Sequence, residues 1–166
     1  MILHGPDERV NVVVRGVYVR DGRLLVSEWE DGRRFLVGGR VEHGESLPVS
    51  LEREWVEELG TPLPPRIGRL LWIGDVVWTN RFGWRQHEYG WYFRILEGGP
   101  GPAGEERWPD AQHPGLAVGW IPLTPEAVAS LYPRFLRRAL FEPPTEGVRY
   151  FVERAGTVQE PLAGRL

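Results

Sequence analysis

The chain has 166 residues, 42% hydrophobic and 26% charged, the composition of a folded protein rather than a disordered one. Its net charge of −3 supplies no global positive field for a nucleic-acid duplex or an anionic membrane. All 20 basic residues are arginine and cysteine is absent, which excludes lysine nucleophiles, a P-loop lysine, disulfides and thiolate metal sites, and points to a reducing cytoplasm.

The N-terminal "MILHGPDERV" lacks a charged segment followed by an apolar run, so no signal peptide is expected. No apolar stretch approaches the ~18 residues of a membrane span. With no linker and no internal repeat, one domain over residues 1–166 is expected. "VNVVVRGVYV" (10–19) is β-branched and reads as a buried strand. Asp21-Gly22 is a hairpin signal leading into a second strand over 23–29, and Asp31-Gly32 turns the chain into 33–39.

Residues 47–59 read as a helix. Ser46 is placed to cap it, Pro48 sits in the first turn, and Gly60 stands at the stop. Leu47, Leu51, Trp55 and Leu59 recur every fourth residue and mark its apolar face. Segments 67–78 and 88–96 read as an antiparallel pair, and 97–115 as a Gly/Pro-rich loop. A strand over 117–123, helices over about 125–131 and 133–141, and a last strand over 148–154 complete the reading. The order of elements predicts one mixed sheet flanked by helices.

Chemistry concentrates on the 47–59 helix. Glu54, Glu57 and Glu58 stand at i, i+3 and i+4, within one arc of the helix, so their carboxylates can converge. Such a cluster of like charges is costly unless cations neutralise it, and oxygen-only ligands suit Mg²⁺ or Mn²⁺. Arg53 lies four residues before Glu57 and can hold a carboxylate in place. Glu45 lies at the helix N-terminus, where the dipole favours a negative charge. Gly38-Gly39 permits a sharp turn that brings a backbone carbonyl to the cations.

Gly39, Glu45, Arg53-Glu54-Trp55, Glu57-Glu58 and Gly60, at these spacings, resemble the Nudix box of the Nudix (MutT-like) hydrolases. The seven fixed polar and glycine positions among them match by chance on the order of 10⁻⁸ times per starting point, so the signal is specific. Thr61 departs from the family's aliphatic position and affects packing, not catalysis. The resemblance extends over most of residues 8–154. It implies an α/β fold, an α/β/α sandwich around a mixed β-sheet, with the box as a catalytic loop–helix–loop. It also implies hydrolysis of a phosphoanhydride (pyrophosphate) bond in a nucleoside diphosphate linked to a group X. By carry-over, Gly39 (through its carbonyl), Glu54, Glu57 and Glu58 hold the divalent metals, Glu54 takes the proton of the attacking water, and Arg53 and Glu45 support them.

Some family members add a carboxylate from outside the box. Candidates are Glu88, which opens an aromatic strand, and Glu105, Glu106 and Asp110 in the long loop. Arg15, Arg40, Arg81 and Arg85 could reach phosphates. Among eight tryptophans, Trp78, Trp84, Trp91 and Trp108 could stack on a base. The signatures of ADP-ribose, dinucleoside polyphosphate, NADH and coenzyme A hydrolases are absent, which favours a nucleoside tri- or diphosphate or a nucleotide sugar. The expected partner is this small nucleotide, with no membrane and no nucleic-acid polymer; a homodimer is left open. A nucleotide-binding sensor without turnover is the alternative, and RNA decapping would require a basic track beside the site.

Overall fold

The structure is a computed structural model, described here for residue 5 and residues 7–80, 82–99 and 107–162. In chain order the strands are β1 (Glu8–Val17), β2 (Val19–Arg20), β3 (Arg23–Glu28), β4 (Arg34–Phe35) and β5 (Gly38–Arg40). Helix α1 (Leu47–Leu59) follows, then β6 (Arg66–Thr79), β7 (Arg85–Glu97), β8 (Arg107–Pro109) and β9 (Ala117–Pro122). A 3₁₀ turn (Ala127–Ser130), a one-turn helix α2 (Leu136–Ala139), β10 (Arg149–Arg154) and β11 (Thr157–Gln159) complete it.

The strands form a six-stranded sheet, in the order β11-β10-β6-β7-β1-β5, and a second sheet, β2-β3-β9-β8 with β4 beside β3. The first is mixed, since β1–β7 and β6–β10 run parallel and its other pairs antiparallel. The expected β6–β7 pair is present. Its tip closes on Asn80, whose side-chain oxygen accepts the N–H groups of Phe82 and Trp84 at 2.9 and 3.0 Å.

One expected hairpin is reduced. The 10–19 stretch divides at Tyr18: β1 joins the six-stranded sheet, and only Val19 and Arg20 fold back onto β3 through Asp21 and Gly22, both at positive φ. The physical reason is burial on both faces of β1. Val13 and Val14 are adjacent and both buried, which requires a central strand with a layer on each side. The second, antiparallel sheet was not legible as a separate unit.

Helix α1 has the expected bounds, with Gly60 at φ 61° as its left-handed stop, although Ser46 makes no side-chain capping bond. Its Leu51, Trp55 and Leu59 pack with Val14, Leu25, Val37, Ile95, Val118 and Trp120. A Cβ on Gly16 would collide with the Trp55 ring, so this glycine lets the helix lie close on β1. The opposite face of the sheet presents Val17, Trp72, Val76, Tyr92 and Phe151 to Phe135 and Leu136, with Phe135 and Phe151 stacked at 4.7 Å. Helical elements therefore lie on both faces. The first late helix is shorter than expected: Leu131 is already extended, with ψ 141°, and Pro133 disfavours helical backbone at the residue before it; the second is a single turn. Among the described residues, no helix is long and apolar enough to cross a membrane.

Candidate active site

Arg53 is the hub of the acidic helix. Its Nε donates to Glu45 Oε1 at 2.7 Å, and Nη1 donates to both Glu54 Oε1 and Glu57 Oε2 at 3.0 Å. Nη2 reaches Glu45 Oε2 and the Arg40 carbonyl, each at 3.0 Å. Ser50 Oγ donates to the same carbonyl at 3.3 Å, tying α1 to β5. The Arg53 hydrogen bond, followed by the Glu42 N–H, holds the Glu45 carboxyl down at about 2. One planar fork thus fixes three carboxylates, which a lysine could not do.

Glu58 does not join them. Expected to converge with Glu54 and Glu57, it turns inward, where its carboxylate accepts hydrogen bonds from Ser27 Oγ and, at 3.1 Å, from Gly38 N. The reason is local. Like charges separate where other donors exist, and Ser27 and Gly38 offer two beneath the helix. Among the described residues, no group of three His, Cys, Asp or Glu side chains is arranged to hold a metal.

Burial pushes the Glu58 carboxyl from its ordinary value near 4.5 to about 7, against the pull of Arg15, Ser27 and Gly38 N, with the charge of Asp110 adding to the rise. The consequence for stability has a definite sign. Below pH 4.5 both states carry the proton; as pH rises, the unfolded chain ionises first, so stability falls until about pH 7. The expected loss is about 3 kcal/mol. Urea unfolding with EDTA at pH 5 and 7.5 should show it, and Glu58→Gln should flatten it; an equal slope in the variant would contradict the assignment.

The two glycines before the helix have separate roles. Gly16 N bonds Val37 O and Val41 N bonds Val12 O, so antiparallel alternation commits the intervening Gly39 to the Val14 ladder. The carbonyl facing out of the ladder is that of Gly38, where Arg15 Nη1 donates to it. The expected carbonyl of Gly39 is thereby corrected to Gly38. Gly39 serves differently: the Glu54 carboxylate occupies the space a Cβ would fill. An outward carbonyl beside oxygen-only side chains fits a hard divalent cation.

Arg15 extends the site to the sheet face away from α1. Its guanidinium also donates to Leu36 O at 3.1 Å, and its charge acts on Glu58 and Glu88. Glu88 is directly paired with Val76 and shares that face. Burial raises its carboxyl, and the charges of Arg15 and Arg40 oppose the rise. Trp78 and Glu88 line one cleft of about 350 Å³.

The other candidates lie elsewhere. Trp91 belongs to the row Gly39–Val14–Trp91 on the α1 side of the sheet, opposite to Glu88. Arg85, at the start of β7, pairs with Glu8. Asp110 is buried, and its carboxylate accepts the N–H groups of Gln112 and His113 at 2.8 Å, ordering the turn under α1. Trp108 packs against the α1-side core, and Trp84 is exposed with Arg9 over its ring. Arg81, Glu105 and Glu106 fall outside the described residues. Ser27, the Gly38 N–H and the anchoring role of Arg15 escaped the sequence reading, because only non-local strand pairing brings them to Glu58.

A family model of the NUDIX domain matches residues 8–138, most of the chain and all of the elements that carry this cluster. The chain belongs to the Nudix hydrolase family.

Solved Nudix structures share the fold. The MutT protein of Bacillus halodurans superposes with a TM-score of 0.62 at 17% identity, covering 90% of this chain and 95% of that one. The E. coli ORF135 protein gives 0.54 at 23% identity, covering 83% and 94%. An ADP-ribose pyrophosphatase of Streptococcus suis gives 0.51 at 16% identity, covering 84% and 98%. At these identities the likeness is one of fold. No protein of curated function matches the sequence. Within the Nudix frame, the Arg53 hub, the Gly38-Gly39 turn and α1 together form the box.

Proposed function

We propose that this Nudix hydrolase uses Mg²⁺ or Mn²⁺ to cleave a phosphoanhydride bond in a nucleoside diphosphate-X substrate, a nucleoside tri- or diphosphate or a nucleotide sugar. The observation that carries the reading is Arg53 Nη1 shared by Glu54 and Glu57 directly beside the Gly38-Gly39 turn. Glu54 and Glu57 would hold the cations with the Gly38 carbonyl, and Glu88 would be the added carboxylate from outside the box. When bound, such ions acidify a water and offset charge on the leaving phosphate.

The chain's own groups do the rest. Glu54, lodged against Gly39, takes the proton as the water oxygen bonds to phosphorus, and the leaving phosphate keeps the electron pair of the broken P–O bond. Arg53 and Glu45 keep the carboxylates in register on the helix. Arg15 and Arg40 supply positive charge for the phosphates, and Trp78 an apolar wall.

Glu88→Gln tests the extended site. The rate should fall at least tenfold, and the Mg²⁺ concentration for half-maximal activity should rise. Unchanged values of both would remove Glu88 from the cation site and leave the box assignment standing. Excess EDTA should abolish turnover in the wild-type protein, and added Mg²⁺ or Mn²⁺ should restore it.

A further inference from the structure

Three side chains form a row across the six-stranded sheet, on the face turned away from α1. Glu153 of β10 is directly paired with Val76 of β6, and Val76 with Glu88 of β7. Neighbouring strands lie about 4.8 Å apart, so the backbones of the two glutamates are roughly 10 Å apart. Both line the cleft of about 350 Å³, together with Phe35, Trp78 and Tyr132. Phe35 and Tyr132, with ring centroids 6.2 Å apart, make one aromatic wall.

The two ends of the row differ. Glu88 lies within the influence of Arg15 and Arg40, on the side of the proposed phosphate contacts. Glu153 lies at the far end and is buried, with 6% exposure. One of its oxygens accepts the Phe135 N–H at 3.1 Å. Burial raises its carboxyl, while the backbone N–H groups of Phe135 and Arg134 and the charges of Arg134 and Arg137 hold the rise back. It falls beyond residues 8–138, and no role proposed for the box uses it. A carboxylate two strands from the reaction centre, in an aromatic cleft, is placed to meet the other end of a nucleotide.

Resting on the hydrolase reading above, we propose that this cleft holds the nucleobase, that its aromatic wall stacks on the base, and that Glu153 selects an edge carrying two adjacent N–H donors. An ionised carboxylate accepts two parallel hydrogen bonds from such an edge. Guanine presents one in N1–H and its exocyclic amino group. Uracil and thymine present a single N–H between two carbonyl oxygens, which a carboxylate repels. Adenine and cytosine present one amino donor beside an acceptor nitrogen and rank between.

The test combines turnover and binding at pH 8. Wild-type protein should hydrolyse guanosine triphosphate with a kcat/KM about tenfold or more above that for uridine triphosphate, the discrimination expected of a bidentate pair. Calorimetry should show the same order for guanosine and uridine monophosphates, with no chemistry involved. E153Q keeps an oxygen to accept the Phe135 N–H, and a melting temperature near wild type checks that it folds. In it the guanine preference should shrink at least fivefold, through KM rather than kcat. Equal affinity of wild type for the two monophosphates would overturn the inference, as would an undiminished preference in folded E153Q. Turnover without base preference sinks only the base site; base-selective binding without turnover keeps the base site and sinks the hydrolase reading.

Discussion

Glu57→Gln should lower kcat by about 10²–10³-fold, because it removes one of the carboxylates proposed to hold the cations, and cation stabilisation of the transition state is worth several kcal/mol. The fold should survive. The Glu57 side chain is 29% exposed, and Arg53 keeps Glu45 and Glu54 when Glu57 is neutral. Initial rates at saturating Mg²⁺, beside thermal melts within a few degrees of wild type, would establish both halves. A variant as fast as wild type would remove Glu57 from the chemistry altogether.

Alanine at the two neighbouring glycines should fail in two different ways. Gly38 has φ 130°, and a Cβ there would run into the Val14 carbonyl and the Arg15 Cα, all of it backbone. Gly38→Ala must therefore displace β5 from β1, at a cost of about 3 kcal/mol or more, which urea unfolding would read. Gly39 is not at positive φ, and the three atoms nearest its added methyl are all of the Glu54 carboxylate. Gly39→Ala should keep its stability and lose activity about as severely as Glu54→Gln, since Glu54 cannot return to its place. Equal stability losses in the two variants would contradict the division between a backbone constraint and a side-chain cradle.

Local features were legible in the sequence where chemistry is local. The four-residue recurrence of Leu47, Leu51, Trp55 and Leu59 with Gly60 behind it fixed α1, and the box spacing placed Arg53 among its carboxylates. What periodicity does not encode is which strand pairs with which. The departure of β1 from its hairpin and the second sheet both follow from register between distant segments. The same limit explains Glu58. Helical spacing put it beside Glu54, whereas Ser27 and Gly38 N, supplied by β3 and β5, turned it inward. Gly38 and Gly39 look interchangeable as letters, and only the β1–β5 ladder tells the outward carbonyl from the inward one. Glu153 gave no signal at all, because its meaning depends on pairing with Val76 across 77 positions of chain.

The central claim is metal-dependent cleavage of a nucleotide phosphoanhydride. Purified protein incubated with nucleoside di- and triphosphates, nucleotide sugars, ADP-ribose, dinucleoside polyphosphates and NADH, with Mg²⁺ and with Mn²⁺, followed by product identification, tests it most directly. The predicted result is release of two phosphorylated products, or of a nucleotide and a phosphate, from nucleoside phosphates or nucleotide sugars, abolished by EDTA and by Glu57→Gln. Micromolar binding of any one compound with no product from the whole panel would contradict it and make the protein a nucleotide sensor.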